Sequence, residues 1–253
     1  MPHKWNLINT GLSDGAYNMA LDQALVLSVQ AGRSLPLIRF FGWNPPAVSL
    51  GYNQKIGDLD VSACRNAGFD IVRRPTGGRA VIHRDEFTYS VVAPENDPTI
   101  GGSILETYHR IAEGLLEGLR VLGVGAEIVK SSASDNASKG SALCFAAAGR
   151  YEISSGGKKL IGSAQRRIEG VILQQGSLLL SCGQNEKFFA EKHQEIQAGT
   201  LGELLGRVPD FEEVADGMKL GFARAWGIEL EDRSATLDEK NTARDLKKTS
   251  DIF

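Results

Sequence analysis

The stretch 73–83 constrains the fold of this chain more than any other, because it places two adjacent glycines between two strand-like segments. It reads Arg-Arg-Pro-Thr-Gly-Gly-Arg-Ala-Val-Ile-His, and it lies between an apolar pair at 71–72 and an alternating segment at 87–92. Glycines at positions 77 and 78 can take positive φ values and let main-chain N–H groups approach a ligand, which side chains would obstruct. The stretch is therefore predicted to be a binding loop, and a solvated hairpin turn is the alternative.

Three arginines, Arg73, Arg74 and Arg79, surround these glycines. A guanidinium group is permanently charged and presents its donors in a fork that suits carboxylate or phosphate. The loop is thus suited to a ligand that carries a negative charge.

The composition excludes several classes of function. Hydrophobic residues make up 42% of the 253 positions and charged residues 23%, which is typical of soluble globular proteins. A formal net charge of −3 argues against bulk binding to nucleic acid, which usually requires a basic excess. The chain shows no apolar run long enough for a membrane span and no signal peptide, so we expect a cytoplasmic protein.

Strand-like and helix-like segments follow one another without strict alternation. Apolar residues recur at helical spacing in 16–29 and 104–122, and a hairpin is predicted with Gly156 and Gly157 at its turn. This order favours an α+β fold with a mainly antiparallel mixed sheet flanked by helices. Because no linker divides the chain, one domain over 1–253 is expected.

The expected domain has a core at about 5–230 and a polar tail at about 231–253, with no separate accessory domain. Residues 241–252 are predicted to form a last, exposed helix. Strands are also expected over 166–180, with breaks at Gly170 and Gly176.

The three cysteines, Cys64, Cys144 and Cys182, are odd in number and have no close pairs. This spacing fits neither a disulfide framework nor a zinc site with paired ligands, so we expect a reducing compartment and no metal site. Cys64 lies in a predicted helix and Cys182 follows a leucine-rich strand, and neither is assigned a role.

Cys144 is the candidate nucleophile, in the segment Ser-Ala-Leu-Cys-Phe at 141–145. A reactive cysteine must be a thiolate, which a neighbouring positive charge or base stabilises. Lys159 can supply that charge, since it precedes the small residues 162–164 on a strand, whereas Lys158 points to the opposite face. The alternatives are a buried, unreactive cysteine and an ordinary solvated lysine.

His83 is a further candidate acid or base, and a locally paired, inert histidine is the alternative. Gly162, Ser163 and Ala164 are small enough to leave space beside Lys159 for a slender substrate.

Four separated motifs occur in order along the chain. They are the loop 73–83, Glu-Phe-Thr-Tyr-Ser at 86–90, Lys-Leu-Ile-Gly-Ser-Ala-Gln at 159–165 and Leu-Gln-Gln-Gly-Ser at 173–177. Together they resemble the lipoate-protein ligase and octanoyltransferase family, and the resemblance runs from 14 to about 180. It implies a catalytic domain like that of biotin-protein ligases, an α+β domain around a mainly antiparallel sheet.

Two activities compete within that family. Lipoate ligases use ATP and magnesium to adenylate a free acid, whereas octanoyltransferases take an octanoyl chain from acyl carrier protein through a cysteine thioester. The segment 141–145 resembles the cysteine segment of LipM-type octanoyltransferases, and the chain ends at Phe253 without room for the accessory domain of a ligase. The resemblance therefore favours the transferase, without a cofactor. An ATP-dependent lipoate or octanoate ligase and a non-catalytic lipoyl-domain binding protein are the alternatives.

The resemblance also implies a mechanism. Cys144 would attack the thioester of octanoyl-acyl carrier protein, and Lys159 would stabilise the thiolate and later help to deprotonate the acceptor lysine. The acceptor would be a lipoyl domain, such as glycine cleavage H protein or the E2 component of a 2-oxoacid dehydrogenase. No nucleic acid or membrane partner is expected. Gln175 stands where the family pattern has histidine, which leaves room for the non-catalytic alternative.

The same resemblance assigns the remaining site residues. A basic rim for acidic partner proteins, or else a scattered solvated set, is expected from Arg73, Arg74, Arg79, Lys158, Arg166 and Arg167. The residues expected to bind the acyl substrate are Arg74, Thr76, Gly77, Gly78, Ala80, His83, Gly162, Ser163 and Ala164.

Overall fold

The structure is a computed structural model that describes residues 2–129, 152–181, 188 and 198–249. Its strands are β1 (Lys4–Ser13), β2 (Leu37–Trp43), β3 (Ala47–Leu50), β4 (Asp70–Arg73), β5 (Val81–His83), β6 (Glu86–Pro94), β7 (Glu127–Val129), β8 (Glu152–Ser155), β9 (Lys158–Ile168), β10 (Val171–Leu179) and β11 (Glu229–Asp232). Its α-helices are α1 (Gly15–Gln30), α2 (Val61–Asn66), α3 (Ile104–Val121), α4 (Leu201–Leu205), α5 (Phe211–Trp226) and α6 (Leu237–Thr249). Among the described residues, none of these helices combines the length and the apolar character needed to cross a bilayer.

Eight strands form a large sheet in the order β11-β1-β2-β6-β10-β9-β8-β7. Strand β1 runs parallel to β11 and β2, and each following pair in that order is antiparallel. This arrangement confirms the predicted α+β class with a mainly antiparallel mixed sheet. It also confirms the predicted hairpin, since β8 and β9 are joined at Gly156 and Gly157.

A second, small sheet carries the predicted binding loop. Its order is β4-β3-β5, with β3 parallel to β4 and antiparallel to β5. The loop leaves the end of β4 and returns through β5, where His83 pairs with Ala47 of β3. Both ends of the loop are therefore fixed by β3.

Side-chain alternation divides the core between the two faces of the large sheet. Along β6, Phe87 and Tyr89 point into the core that α3 and α5 cover. Val92 points to the other face, where it packs with Leu21 and Leu25 of α1. The period of two residues along a strand explains why one apolar segment serves both layers.

Strand β10 runs unbroken through Gly176, which corrects the expected break at that position. A Cβ atom at 176 would lie 2.4 Å from Cε1 of Tyr89 and 2.8 Å from Oγ of Ser163, so glycine is required where the tyrosine ring crosses the strand. Gly170 does lie in the turn between β9 and β10, with φ of +84°.

The predicted last helix is present as α6, and it packs against α1, so it is not exposed on every side. Ala243 is fully buried in this contact. Arg233 pairs with Glu239 at 2.8 Å, and Lys247 pairs at 2.9 Å with Asp14, the N-cap residue of α1. The sequence pattern concealed the contact because the buried stripe of α6 is narrow and much of the helix is polar.

Arg39 of β2 and Asp22 of α1 form an ion pair whose side chains are fully buried. Arg39 Nη1 donates to Asp22 Oδ1 at 2.7 Å, and Arg39 Nη2 donates to Asn18 Oδ1 at 2.6 Å. Burial lowers the pKa of Arg39, and the Asp22 carboxylate counteracts that effect. Since arginine stays protonated in proteins, Arg39 brings a permanent positive charge to this link between the sheet and α1.

Replacing Arg39 with leucine is expected to lower the free energy of unfolding by about 3–5 kcal/mol, because it leaves Asp22 as an uncompensated buried charge. Urea unfolding followed by circular dichroism measures the change. The control is Arg33→Leu, which removes an exposed arginine and should change the unfolding free energy by less than about 0.5 kcal/mol. Equal losses in the two variants would contradict a structural role for the ion pair.

Candidate functional site

A small cavity of about 30 Å³ lies where the small sheet meets β9 and β10, and we call it the inner slot. Five of the residues predicted to bind substrate line it: Arg74, His83, Gly162, Ser163 and Ala164. The complete lining is Met19, Phe41, Trp43, Ser49, Arg74, Val81, His83, Thr88, Gly162, Ser163, Ala164, Gln175, Gly176 and Ser177. We call the stretch 73–83, with Gly77 and Gly78, the double-glycine loop. The fold brings this loop and the segment 162–164 close together.

Of the two predicted loop glycines, Gly78 lies next to residues that line the inner slot. Gly78 has φ of +90°, and a Cβ atom there would lie 3.9 Å from Cβ of Ala164. Gly51, after β3, faces Gly78 so closely that its Cβ would lie 1.9 Å from the Gly78 carbonyl oxygen. Position 51 therefore has to be glycine. This could not be predicted from the sequence, because a close approach between two loops leaves no pattern in either segment.

Arg74 is buried, and its guanidinium holds the loop together. Nη2 donates to the carbonyl oxygens of Gly77 at 2.6 Å and Arg79 at 2.7 Å, and Nη1 donates to the Ser49 carbonyl oxygen at 3.0 Å. These bonds fix the loop in one shape. The positive charge of Arg74 therefore reaches the slot from a rigid position.

His83 is the centre of a buried hydrogen-bonded series. Arg74 Nη1 donates to Ser49 Oγ at 3.1 Å, so the Ser49 hydroxyl can donate its hydrogen to Nε2 of His83, which lies 2.7 Å away. Nδ1 of His83 lies 2.7 Å from Oε1 of Glu86. With the Ser49 hydroxyl as donor to Nε2, the ring hydrogen lies on Nδ1 and is donated to Glu86. His83 is thus paired on both ring nitrogens.

One carboxylate oxygen of Glu86 accepts three hydrogen bonds. Oε1 accepts from His83, from Thr88 Oγ1 at 2.6 Å and from Ser177 Oγ at 2.9 Å. The other oxygen, Oε2, is buried and has no hydrogen-bond partner among the described residues. Ser49 and Glu86 are partners of His83 that the sequence analysis did not name.

Gln175, which stands at the position of the expected histidine, joins the loop to the buried ion pair. Its Oε1 accepts from Thr76 Oγ1 at 2.7 Å, and its Nε2 donates to Asp22 Oδ2 at 2.6 Å. Thr76 is fully buried. An amide carries both a donor and an acceptor, so Gln175 can bond to the loop and to Asp22 at the same time.

Five predicted site residues do not line the inner slot: Thr76, Gly77, Gly78, Ala80 and Lys159. Lys159 Nζ donates to Glu152 Oε1 at 2.7 Å, and both side chains are largely buried, 11% and 16% exposed. Lys158 points the other way, to an exposed pair with Glu203, as strand alternation predicts. Ala80 packs in the apolar cluster of the small sheet.

The predicted nucleophile, Cys144, and its segment 141–145 lie outside the described residues, as does Cys182. Cys64 is buried in α2, and burial raises the pKa of its thiol to about 11. A thiol with that pKa is almost entirely protonated near neutral pH, which agrees with the absence of an assigned role for Cys64.

The arginines predicted to form a basic rim make bonds within the protein. Arg73 Nη1 donates to the carbonyl oxygen of Gln54 at 2.7 Å, and Arg166 Nη1 donates to that of Pro75 at 3.1 Å. Arg167 pairs with a glutamate 3.2 Å away. Arg73 and Arg166 therefore help to order the loop and the segment that packs on it, whereas Arg167 lies away from the loop.

The bonding around His83 predicts its tautomer. Nitrogen NMR of protein labelled with ¹⁵N-histidine should show Nδ1 protonated and Nε2 unprotonated at alkaline pH, because Ser49 donates to Nε2 and Glu86 accepts from Nδ1. Ser49→Ala should leave Nδ1 protonated, whereas Glu86→Leu should remove the preference. A wild-type spectrum with the proton on Nε2 would contradict the assigned series.

Comparisons with known proteins agree with this architecture. The sequence model of the lipoyl protein ligase A/B catalytic domain matches residues 14–223. The octanoyltransferase LipM of Kyrpidia tusciae is 40% identical over 258 residues, covering 96% of this chain and 94% of that protein. The octanoyltransferase LipM of Moorella thermoacetica is 39% identical, with 96% and 94% covered.

Two solved structures share the fold at lower identity. Lipoate-protein ligase A bound with ATP has a TM-score of 0.78 at 23% identity, covering 98% of this chain and 95% of that one. A bi-partite lipoate protein ligase of Thermoplasma acidophilum, studied with its E2 lipoyl domain, has a TM-score of 0.76 at 21% identity, with 98% and 92% covered. On the family match and the relatives of 39–40% identity, the chain belongs to the lipoyl protein ligase A/B catalytic domain family.

Proposed function

We propose that this protein moves an octanoyl group from acyl carrier protein, through a thioester on Cys144, to the acceptor lysine of a lipoyl domain. The broader statement follows from kinship: a chain up to 40% identical to LipM octanoyltransferases over nearly its full length is an octanoyltransferase that acts in protein lipoylation. The thioester, the residues and the identity of each partner are the proposed part.

The observation that carries the residue assignment is the meeting of two motifs at the inner slot. Arg74 of the loop and the segment 162–164 belong to different sheets, yet both line this cavity. Gly78 lies next to it, since a Cβ atom at 78 would lie 3.9 Å from Cβ of Ala164. Lys159 starts the strand that carries 162–164, three residues before Gly162. An acyl chain lying over Gly77, Gly78 and 162–164 would therefore place its carbonyl carbon toward the Lys159 end of β9.

The first half of the reaction forms the acyl-enzyme. The thiolate of Cys144 adds to the thioester carbonyl of octanoyl-acyl carrier protein, the C–S bond to the carrier breaks, and the carrier leaves as a thiolate that takes up a proton. The Lys159 ammonium stabilises the attacking thiolate. Glu152 holds that ammonium at 2.7 Å, so its position is set before the donor arrives.

The second half transfers the acyl group to nitrogen. The neutral amine of the acceptor lysine adds to the Cys144 thioester, the C–S bond breaks, an amide forms, and Cys144 returns to thiolate. Lys159 gave its proton to the carrier thiolate in the first half and is now a neutral amine. It therefore takes up the proton that the acceptor amine loses, and the ammonium is restored. A thioester is already activated, so this route needs neither ATP nor another cofactor.

The proposed partners are octanoyl-acyl carrier protein as donor and a lipoyl domain, of glycine cleavage H protein or of a 2-oxoacid dehydrogenase E2 component, as acceptor. Both would be met in the cytoplasm, by one catalytic domain. Arg73 and Arg166 lie beside the loop, where they bond to the carbonyl oxygens of Gln54 and Pro75, and they supply positive charge for acidic partner surfaces. Such charges affect association rates and their salt dependence more than the chemical steps.

Intact-protein mass spectrometry tests the thioester. Wild-type protein incubated with octanoyl-acyl carrier protein should gain the mass of one octanoyl group, and Cys144→Ala should gain none, because the nucleophile is absent. A variant with both Cys64 and Cys182 changed to serine is the control and should keep the adduct.

A wild-type protein without the adduct, combined with octanoate-dependent exchange of pyrophosphate into ATP, would contradict the proposal in favour of a ligase. Binding of a lipoyl domain without any transfer would contradict it in favour of a binding protein.

Lys159→Met should slow single-turnover acyl transfer by about 10²–10⁴-fold, the usual range for loss of a positioned acid or base. Lys158→Met is the matched control, since that neighbouring lysine forms an exposed pair on the other face of β9. It should alter the rate by no more than a few-fold. Equal effects of the two substitutions would remove Lys159 from the mechanism.

A further inference from the structure

A larger cavity of about 440 Å³ lies between α1, α6 and the double-glycine loop, and we call it the outer chamber. It falls within the size range of pockets that hold small-molecule ligands. Apolar side chains of both helices contribute to its walls, among them Val26, Leu27 and Leu246. Its complete lining is Ala16, Met19, Gln23, Val26, Leu27, Tyr52, Val72, Arg73, Arg74, Pro75, Arg166, Ile168, Leu246 and Thr249.

The outer chamber and the inner slot have common walls. Within the part of the chain that the structure describes, Met19 and Arg74 are the residues that line both cavities. Their two side chains therefore lie between the inner slot, which as it stands holds about one water molecule, and a space more than ten times larger. An eight-carbon chain needs more room than that, so it can enter the slot only when a side chain of the wall moves.

The two side chains of this partition differ in mobility. Arg74 is fixed by its bonds to the backbone of Ser49, Gly77 and Arg79. Met19 is unbranched with three rotatable bonds, and its sulfur lies 3.7 Å from Nε2 of Gln175, a weak contact. Met19 is thus the part of the partition that a substitution can remove while the loop keeps its shape.

We propose that Met19 determines the acyl-chain length that this enzyme accepts, by closing the inner end of the slot against the outer chamber. The proposal rests on the proposed function, in which the acyl chain lies over the double-glycine loop and the segment 162–164. The terminal methyl group of the chain then meets Met19. Without that side chain, the methylenes of a longer chain would continue into the outer chamber.

Met19→Ala tests this directly. The variant and the wild type are each offered an equimolar mixture of octanoyl- and dodecanoyl-acyl carrier protein, and the ratio of the two acyl-enzymes is measured by mass spectrometry. We expect the ratio of dodecanoyl to octanoyl adduct to rise at least ten-fold in the variant. Burial of four further methylenes sets an upper limit of about 250-fold.

A second substitution tests the role of the outer chamber. Gln23 lies one helical turn after Met19 on α1 and lines only the chamber of these two cavities. Gln23→Phe, added to Met19→Ala, should fill the space behind position 19 and return the adduct ratio to within about three-fold of the wild-type value. Gln23→Phe alone should leave octanoyl transfer unchanged.

Leu25→Ala is the control for lost packing, because Leu25 is a fully buried residue of α1 that lines neither cavity. It should destabilise the protein without changing the ratio. Should Met19→Ala fail to fold, Met19→Val replaces it, with a smaller rise expected. A folded variant at position 19 with the wild-type ratio would overturn the proposal. A wild type that forms no octanoyl adduct would instead overturn the proposed function, so the two failures are distinct.

Discussion

A buried carboxylate holds the binding loop against the large sheet. Asp22 accepts from Arg39 of β2 through one oxygen and from Gln175 of β10 through the other, and Gln175 in turn accepts from Thr76 of the loop. A charge taken out of water must find partners of this kind, or the fold loses several kcal/mol. Because the Asp22 carboxylate needs hydrogen-bond donors once it is buried, its bonds to Arg39 and Gln175 link α1, β2, β10 and the loop.

The two sides of the inner slot differ in how firmly their side chains are held. On the loop side, Arg74 fixes several carbonyl oxygens, and the series from Ser49 through His83 to Glu86 continues this order into β6. On the α1 side, Met19 is held by packing and one weak contact. A rigid wall on one side and an adaptable wall on the other fit the proposed binding of an acyl chain in this slot.

Much of the fold could be predicted from local patterns. The helical spacing of apolar residues indicated α1 and α3, and the double glycine at 156–157 indicated the β8–β9 hairpin. The docking of α6 could not be predicted in this way, because its contact depends on small Ala243 and on ion pairs between residues distant in the chain. The predicted strand break at Gly176 was wrong for a related reason. Glycine is needed there because the ring of Tyr89, on the neighbouring strand β6, lies against it.

The residues of the site can be divided in the same way, into those that one segment reveals and those that depend on distant contacts. Its glycines and small residues stood out because such clusters are visible in one segment, and the structure brings 162–164 and the loop together. The partners of His83 were not visible, because Ser49 lies 34 positions away and meets it only through the pairing of β3 with β5. The role of Gln175 likewise emerged only from its two buried contacts.

The central claim is that the acyl group rests on the enzyme between two separate encounters with protein partners. Initial rates measured while both octanoyl-acyl carrier protein and lipoyl domain are varied test this most directly. The account predicts parallel lines in double-reciprocal plots, since one product leaves before the second substrate binds. Lines that intersect to the left of the ordinate would show that both partners bind together, which would contradict the relay.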